Sequence, residues 1–130
     1  MLALPFILRR ATFKTTLFIG LAAWALRFAL FAFAPVKELA IAAQALHGVC
    51  FAFTIAAGMI YVDRVCETDT RASMQSFLAF LTYGLGMAVG FPLSGFVSQH
   101  FTQDGATDWR ATWTVAASGC ALLTLLFVLF

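Results

Sequence analysis

Gln44, His47, Phe51 and Ile55 are spaced three, four and four residues apart. On a helix of about 3.6 residues per turn they share one face, which Gly58 continues. The stretch that carries them, Ala40 to Asp63 (AIAAQALHGVCFAFTIAAGMIYVD), is otherwise apolar and long enough to cross a bilayer. An amide, an imidazole and an aromatic ring thus lie at increasing depth along one edge. Lipid offers no partner to hydrogen-bonding groups, so Gln44 and His47 are expected to face protein, a water-filled cavity or a ligand. The chemistry open to this set is solute recognition and proton carriage, with plain structural bonding of His47 as the alternative. A metal role has no support, because the other histidine, His100, falls at the far end of a different span.

Arg27 is the costliest residue, at about 2.5–3.5 kcal/mol if it sat at mid-bilayer. It lies too deep in its apolar stretch for easy snorkelling and needs a partner. No Asp or Glu falls within a complete span, so the deep candidates are neutral: Gln44, His47 and Tyr83. Two readings stand: a structural lock between helices, or a direct substrate or proton-relay role. A further row, Gly86, Gly90, Ser94 and Ser98, recurs every four residues and lets a second helix approach closely. With Pro92, Gly84 and Gly95 it reads as a packing face or as a gating hinge.

The elements that position these residues follow from composition. Hydrophobic residues make up 62% of the 130-residue chain and charged residues 11%, against about 45–50% and about 25% in soluble domains. Mean hydropathy is +0.93. The chain is expected to be an all-α integral membrane protein with four complete spans, at about 20 residues each, over about 13–34, 38–62, 73–99 and 110–130. A helix remnant over 1–8 precedes them, and the whole forms one partial transmembrane domain. The apolar-then-basic order of MLALPFIL and Arg9, Arg10, Lys14 is the reverse of a secretory signal and suits the tail of a helix that begins upstream. Val36 to Leu39 is expected as a tight turn, Asp63 to Ala72 as a polar loop, and Phe101 to Trp109 as a loop with Asp104, Gly105 and Asp108.

The net charge of +2 sits near helix ends and fits membrane orientation, not nucleic-acid binding. Arg9, Arg10, Lys14, Arg64 and Arg71 fall on one side, Lys37 and Arg110 on the other; the richer side is placed in the cytoplasm, and the C-terminus with it. Cys50 and Cys120 lie in apolar spans and Cys66 in a polar loop, a set without disulfide or metal spacing. No cofactor is expected. Paired carboxylates, Cys-His sets and phosphate loops at membrane depth are missing from the sequence, so an enzyme is the weakest class.

Several short motifs in order resemble bacterial nucleoside:proton symporters of the major facilitator superfamily. His47-Gly48-Val49 with the Phe51 region, then Ile60-Tyr61-Val62-Asp63, is similar to the tenth helix of that family. Met1-Leu2-Ala3-Leu4-Pro5 and the basic pair resemble the end of the eighth, Ala25-Leu26-Arg27-Phe28 the ninth, Arg71 with Gln75 the start of the eleventh, and Trp109 with Trp113 the start of the twelfth. The resemblance covers essentially the whole chain. It implies the C-terminal part of a twelve-helix, proton-coupled carrier of nucleosides or a related small solute in the inner membrane, working by alternating access with the N-terminal half that this chain lacks. It also implies that Gln44, His47, Phe51 and Ile55 line the substrate cavity and that Arg27 is a structural anchor. One departure stands out. Where the family has Tyr-Asp after its His-Gly stretch, this chain has Phe51-Ala52. Phe51 can stack but cannot hydrogen-bond, and Ala52 cannot take a proton, so a coupling carboxylate is expected on helices outside this chain. The alternative function is a small helical membrane subunit that packs against a partner through Gly86, Gly90 and Ser94.

Overall fold

The computed structural model describes residues 11–34 and 36–130; the expected remnant over 1–8, the Arg9–Arg10 pair and Pro35 lie outside them. Four helices are long and apolar enough to cross a membrane: α1 (Phe13–Phe33), α2 (Lys37–Val65), α3 (Thr68–His100) and α4 (Trp109–Leu129). Each start has a local cause. Thr12 caps α1, its Oγ1 accepting the Thr15 N–H at 3.2 Å. Asp108 caps α4 in the same way, through the Ala111 N–H at 3.0 Å. Glu38 and Asp69 place negative charge in the first turns of α2 and α3, against the positive end of each helix dipole.

Three connections differ from the sequence expectation. The turn expected over Val36 to Leu39 is already helical from Lys37, where α2 begins with Val36 at its N-cap. The polar stretch from Asp63 to Ala72 is not a loop: α2 runs on to Val65 and α3 begins at Thr68, leaving only Cys66 and Glu67 between them. Polar residues at a span's end sit outside the lipid and can stay helical, and Arg71 Nη1 pairs with Asp63 Oδ1 at 3.3 Å across the turn. The stretch after α3 is not irregular either. Thr102–Gln103 (β1) pairs antiparallel with Ala106–Thr107 (β2). Asp104 and Gly105 take φ of 51° and 78°, the left-handed pair that a tight two-residue hairpin turn requires. The Thr102 hydroxyl donates to the Ser98 carbonyl at 2.7 Å, so Thr107 donates to Thr102 Oγ1 at 2.8 Å.

α1 is the hub, packing along both α4 and α2, whereas α3 meets α2 through its N-terminal part and touches α4 little. The buried residues among those described are small: Thr16, Gly20, Ala23, Ala32, Ala43, Cys50, Ala52 and Ala57. Small side chains let helices approach closely where lipid supplies no hydrophobic driving force. Thr16 returns its hydroxyl to the Thr12 carbonyl at 3.1 Å, and Thr54, Thr82 and Thr124 bond back to the fourth carbonyl before them at 2.6, 2.8 and 2.7 Å. These four threonine hydroxyls are thereby satisfied without water.

The closest approach is at Gly20. A Cβ there would lie 2.7 Å from Thr54 Cγ2 and 2.8 Å from the Phe53 carbonyl carbon. Opposite it, α2 widens into a π-turn over Ala52–Ala56. Gly20→Ala is expected to cost about 1–3 kcal/mol through overpacking, read as a lower Tm in detergent. Gly119→Ala meets open space and is expected to be neutral or to stabilise by up to about 1 kcal/mol through helix propensity.

Candidate functional site

The polar residues of the spans converge where α1 passes the upper part of α2. Arg27 Nη2 donates to Gln44 Oε1 at 2.7 Å, so the half-buried cation takes a neutral amide as partner. Its guanidinium lies over three aromatic faces, 5.5 Å from the ring centre of Trp24, 5.7 Å from Phe28 and 5.0 Å from Phe31. Each ring offers the negative face of its quadrupole to the cation, an attraction worth about 0.5–2 kcal/mol according to desolvation. Trp24 meets His47 edge-on at 5.6 Å and 83°. Trp113 of α4 stacks on Phe28 at 5.7 Å and 15°, and leans on Phe31 at 5.2 Å. One face of α1 thus holds α2 through Arg27 and Trp24, and α4 through Phe28 and Phe31.

The helix that carries the stripe is not uniform. Gln44 is a turn residue between two helical stretches, Lys37–Ala43 and Ala45–Phe51. Its N–H bonds to the Ile41 carbonyl at 3.0 Å, and the His47 N–H bonds to the Gln44 carbonyl at 3.0 Å. These three-residue spacings mark a tighter local turn than the α-helix. The π-turn follows at Ala52–Ala56 and adds a residue to the repeat. The even three-four-four stripe drawn from spacing alone is therefore interrupted twice, and Ile55 falls inside the widened turn. Gln44 and His47 are exposed, Phe51 and Ile55 half-buried. Ala52, where the family resemblance leads one to expect a carboxylate, is buried.

The other singled-out residues lie elsewhere. Gly86, Gly90, Pro92 and Ser94 all belong to the second part of α3, Gly86–His100, which follows a second π-turn at Phe80–Leu85. Gly90 and Ser94 line a cleft of about 580 Å³ between α3 and α4, walled by Trp109, Trp113 and Gly119. None of the four stripe residues lines that cleft. Tyr83, an early candidate partner for Arg27, is exposed in the π-turn of α3. Among the described residues no three metal-binding side chains gather. Trp24 and Phe31 stand outside the residues that polarity singles out, yet Trp24, Arg27, Phe28 and Phe31 recur at the three-four-seven offsets of one helical face, a pattern that places rings beside the cation.

Four spanning helices, with a polar site built where two of them cross, define a multi-span membrane protein. Comparison with known proteins carries this further. The chain belongs to the nucleoside H+ symporter family, whose profile matches residues 1–130. It is 33% identical over 131 residues to nucleoside permease NupG of Escherichia coli K12, covering 98% of this chain and 31% of that protein. Xanthosine permease of the same organism is 32% identical over 130 residues, covering 97% of this chain and 31% of the relative. A crystal structure of a mutant form of the nucleoside transporter NupG superimposes with a TM-score of 0.89 at 34% identity, over 98% of this chain and 33% of that one. The chain thus spans about a third of the length of the relatives it matches. Its family is one of transporters, not of enzymes.

Trp113→Ala is expected to lower unfolding stability by ~2 kcal/mol, less than the ~3–5 kcal/mol of a fully buried ring, because two ring contacts to α1 are lost. Trp109→Ala, at a residue 59% exposed, should change it little. Chemical unfolding in detergent micelles, followed by circular dichroism, checks both.

Proposed function

We propose that this chain is the C-terminal part of a secondary transporter that carries nucleosides, or a related small solute, across the inner membrane by alternating access and in symport with protons. The observation that carries the reading is the edge of α2 on which an amide and an imidazole stand exposed at membrane depth, gripped from behind by Arg27 and Trp24. Placing such groups in a spanning helix is costly unless they meet water, protein or a ligand. The family match and the printed functions of the relatives supply the solute class.

In this reading Gln44 and His47 hydrogen-bond the solute, Phe51 stacks on its base and Ile55 closes the apolar floor. The helices present in the relatives and not in this chain complete the cavity, and the C-terminus lies in the cytoplasm. Proton coupling cannot run through Ala52. Among the described residues, carboxylates occur only at the span ends and in the connections: Glu38, Asp63, Glu67, Asp69, Asp104 and Asp108. The coupling group therefore belongs to the completing helices.

A carrier made by joining the first two thirds of E. coli NupG to Met1–Phe130 tests this in cells stripped of their own nucleoside uptake. Labelled nucleoside should enter, and a protonophore should abolish its accumulation. His47→Ala and Phe51→Ala should each raise KM about tenfold, the scale of one lost hydrogen bond or one lost base stack. A correctly inserted carrier that takes up no nucleoside would overturn the proposal. So would two variants with unchanged KM.

A further inference from the structure

A guanidinium carries only N–H donors, so the atom of Gln44 that meets Arg27 Nη2 at 2.7 Å has to be the carbonyl Oε1. This contact fixes the direction of an amide that could otherwise turn over and offer either end. The guanidinium is itself immobilised. Trp24, Phe28 and Phe31 lie 5.5, 5.7 and 5.0 Å from it, and Trp113 backs Phe28 and Phe31 from α4. Arg27 Nε is buried without a partner, so Gln44 is the one hydrogen-bond acceptor the guanidinium has among the described residues. With its carbonyl end turned to α1, Gln44 has its amino end turned away from α1, on an exposed residue. What it presents there is a pair of donors.

We propose that Arg27 is a positioning residue that locks Gln44 as a hydrogen-bond donor, so that the site selects solutes whose base bears a carbonyl over those with an exocyclic amino group on the same ring carbon. A free glutamine reads both groups by turning its amide over. A locked one accommodates only the acceptor, because an amino group brought against it sets donor against donor. The inference rests on the reading of α2 as the substrate-lining helix and adds the feature of the substrate that the helix reads.

The test uses the joined carrier and two pairs of solutes, uridine with cytidine and inosine with adenosine; within each pair a carbonyl and an amino group exchange on one ring carbon. The amino-to-carbonyl ratio of KM should be about tenfold in the parent, the size expected of one hydrogen bond made or opposed. Arg27→Met frees the amide and should bring the ratio within about twofold of unity. Gln44→Glu, still held by Arg27 but with acceptors at both ends, should push the ratio below one. A purely structural role for Arg27 predicts variants that lower Vmax for all four solutes alike and leave the ratio where it was; that result, or a parent ratio near one, overturns the proposal. If Arg27→Met does not insert, Gln44→Glu carries the test alone. If no solute of either pair enters the parent, the transport reading fails and the substrate feature with it. The lock is then read from Tm in detergent: non-additive losses for Arg27→Met and Gln44→Leu sustain it, and additive losses overturn it.

Discussion

A bilayer gives polar atoms nothing to bond, and the bundle is arranged around that constraint. The one deep cation among the described residues, Arg27, sits on the helix that touches both neighbours, and its charge is spread over an amide oxygen and three ring faces. Replacing the Gln44 amide by an alkyl group would leave the guanidinium without its hydrogen-bond acceptor among the described residues, which is costlier than the loss of one ring contact. The aromatic side of the cluster ties α4 to α1, and the amide side ties α2 to α1. The same group that needs satisfying therefore sets the relative placement of three spans. The threonine hydroxyls meet the constraint locally, each by bonding a carbonyl one turn back.

The π-turn in α2 and Gly20 in α1 form the second fixed point. Thr54 and Phe53 press against a glycine that has no Cβ to resist them, and the widened turn brings that backbone forward. Between this point and the Arg27 contact the middle of α2 is held at both ends, which leaves His47 and Phe51 on a short, supported stretch. Support of this kind is what a binding edge needs if its groups are to keep one geometry. Ala52, buried as the first residue of the π-turn, fits the same economy of space; a carboxylate there would be both larger and in need of a partner.

Much of this was legible in the residues. Long apolar runs marked the spans, and elimination of every carboxylate at depth left Gln44 among the partners of Arg27. Asp104-Gly105 reads as part of a loop when polarity alone is weighed, although that dipeptide is a strong hairpin signal. The π-turn in α2 and the break at Gln44 were not legible, because they lie against α1, at Gly20 and at Arg27, and periodicity counts residues along one helix only. The short connection at Cys66 was hidden for a different reason: polar residues look like a loop in a membrane sequence even when they continue a helix beyond the lipid. In α3 the small-residue row is plain in the sequence, whereas its occupant is not, and a Cβ at Gly90 would meet nothing within 4 Å beyond its own stretch of helix among the described residues.

The central claim is that the edge of α2 bearing Gln44 and His47 borders water. Thiol labelling in the joined carrier tests it most directly, in a background where Cys50, Cys66 and Cys120 are replaced by serine. With Gln44→Cys or His47→Cys, a membrane-impermeant maleimide should react readily, and saturating nucleoside should slow the reaction; Leu123→Cys, in the apolar run of α4 at 59% exposure, serves as the reference. Reaction at positions 44 and 47 no faster than at 123, or untouched by nucleoside, would contradict the account.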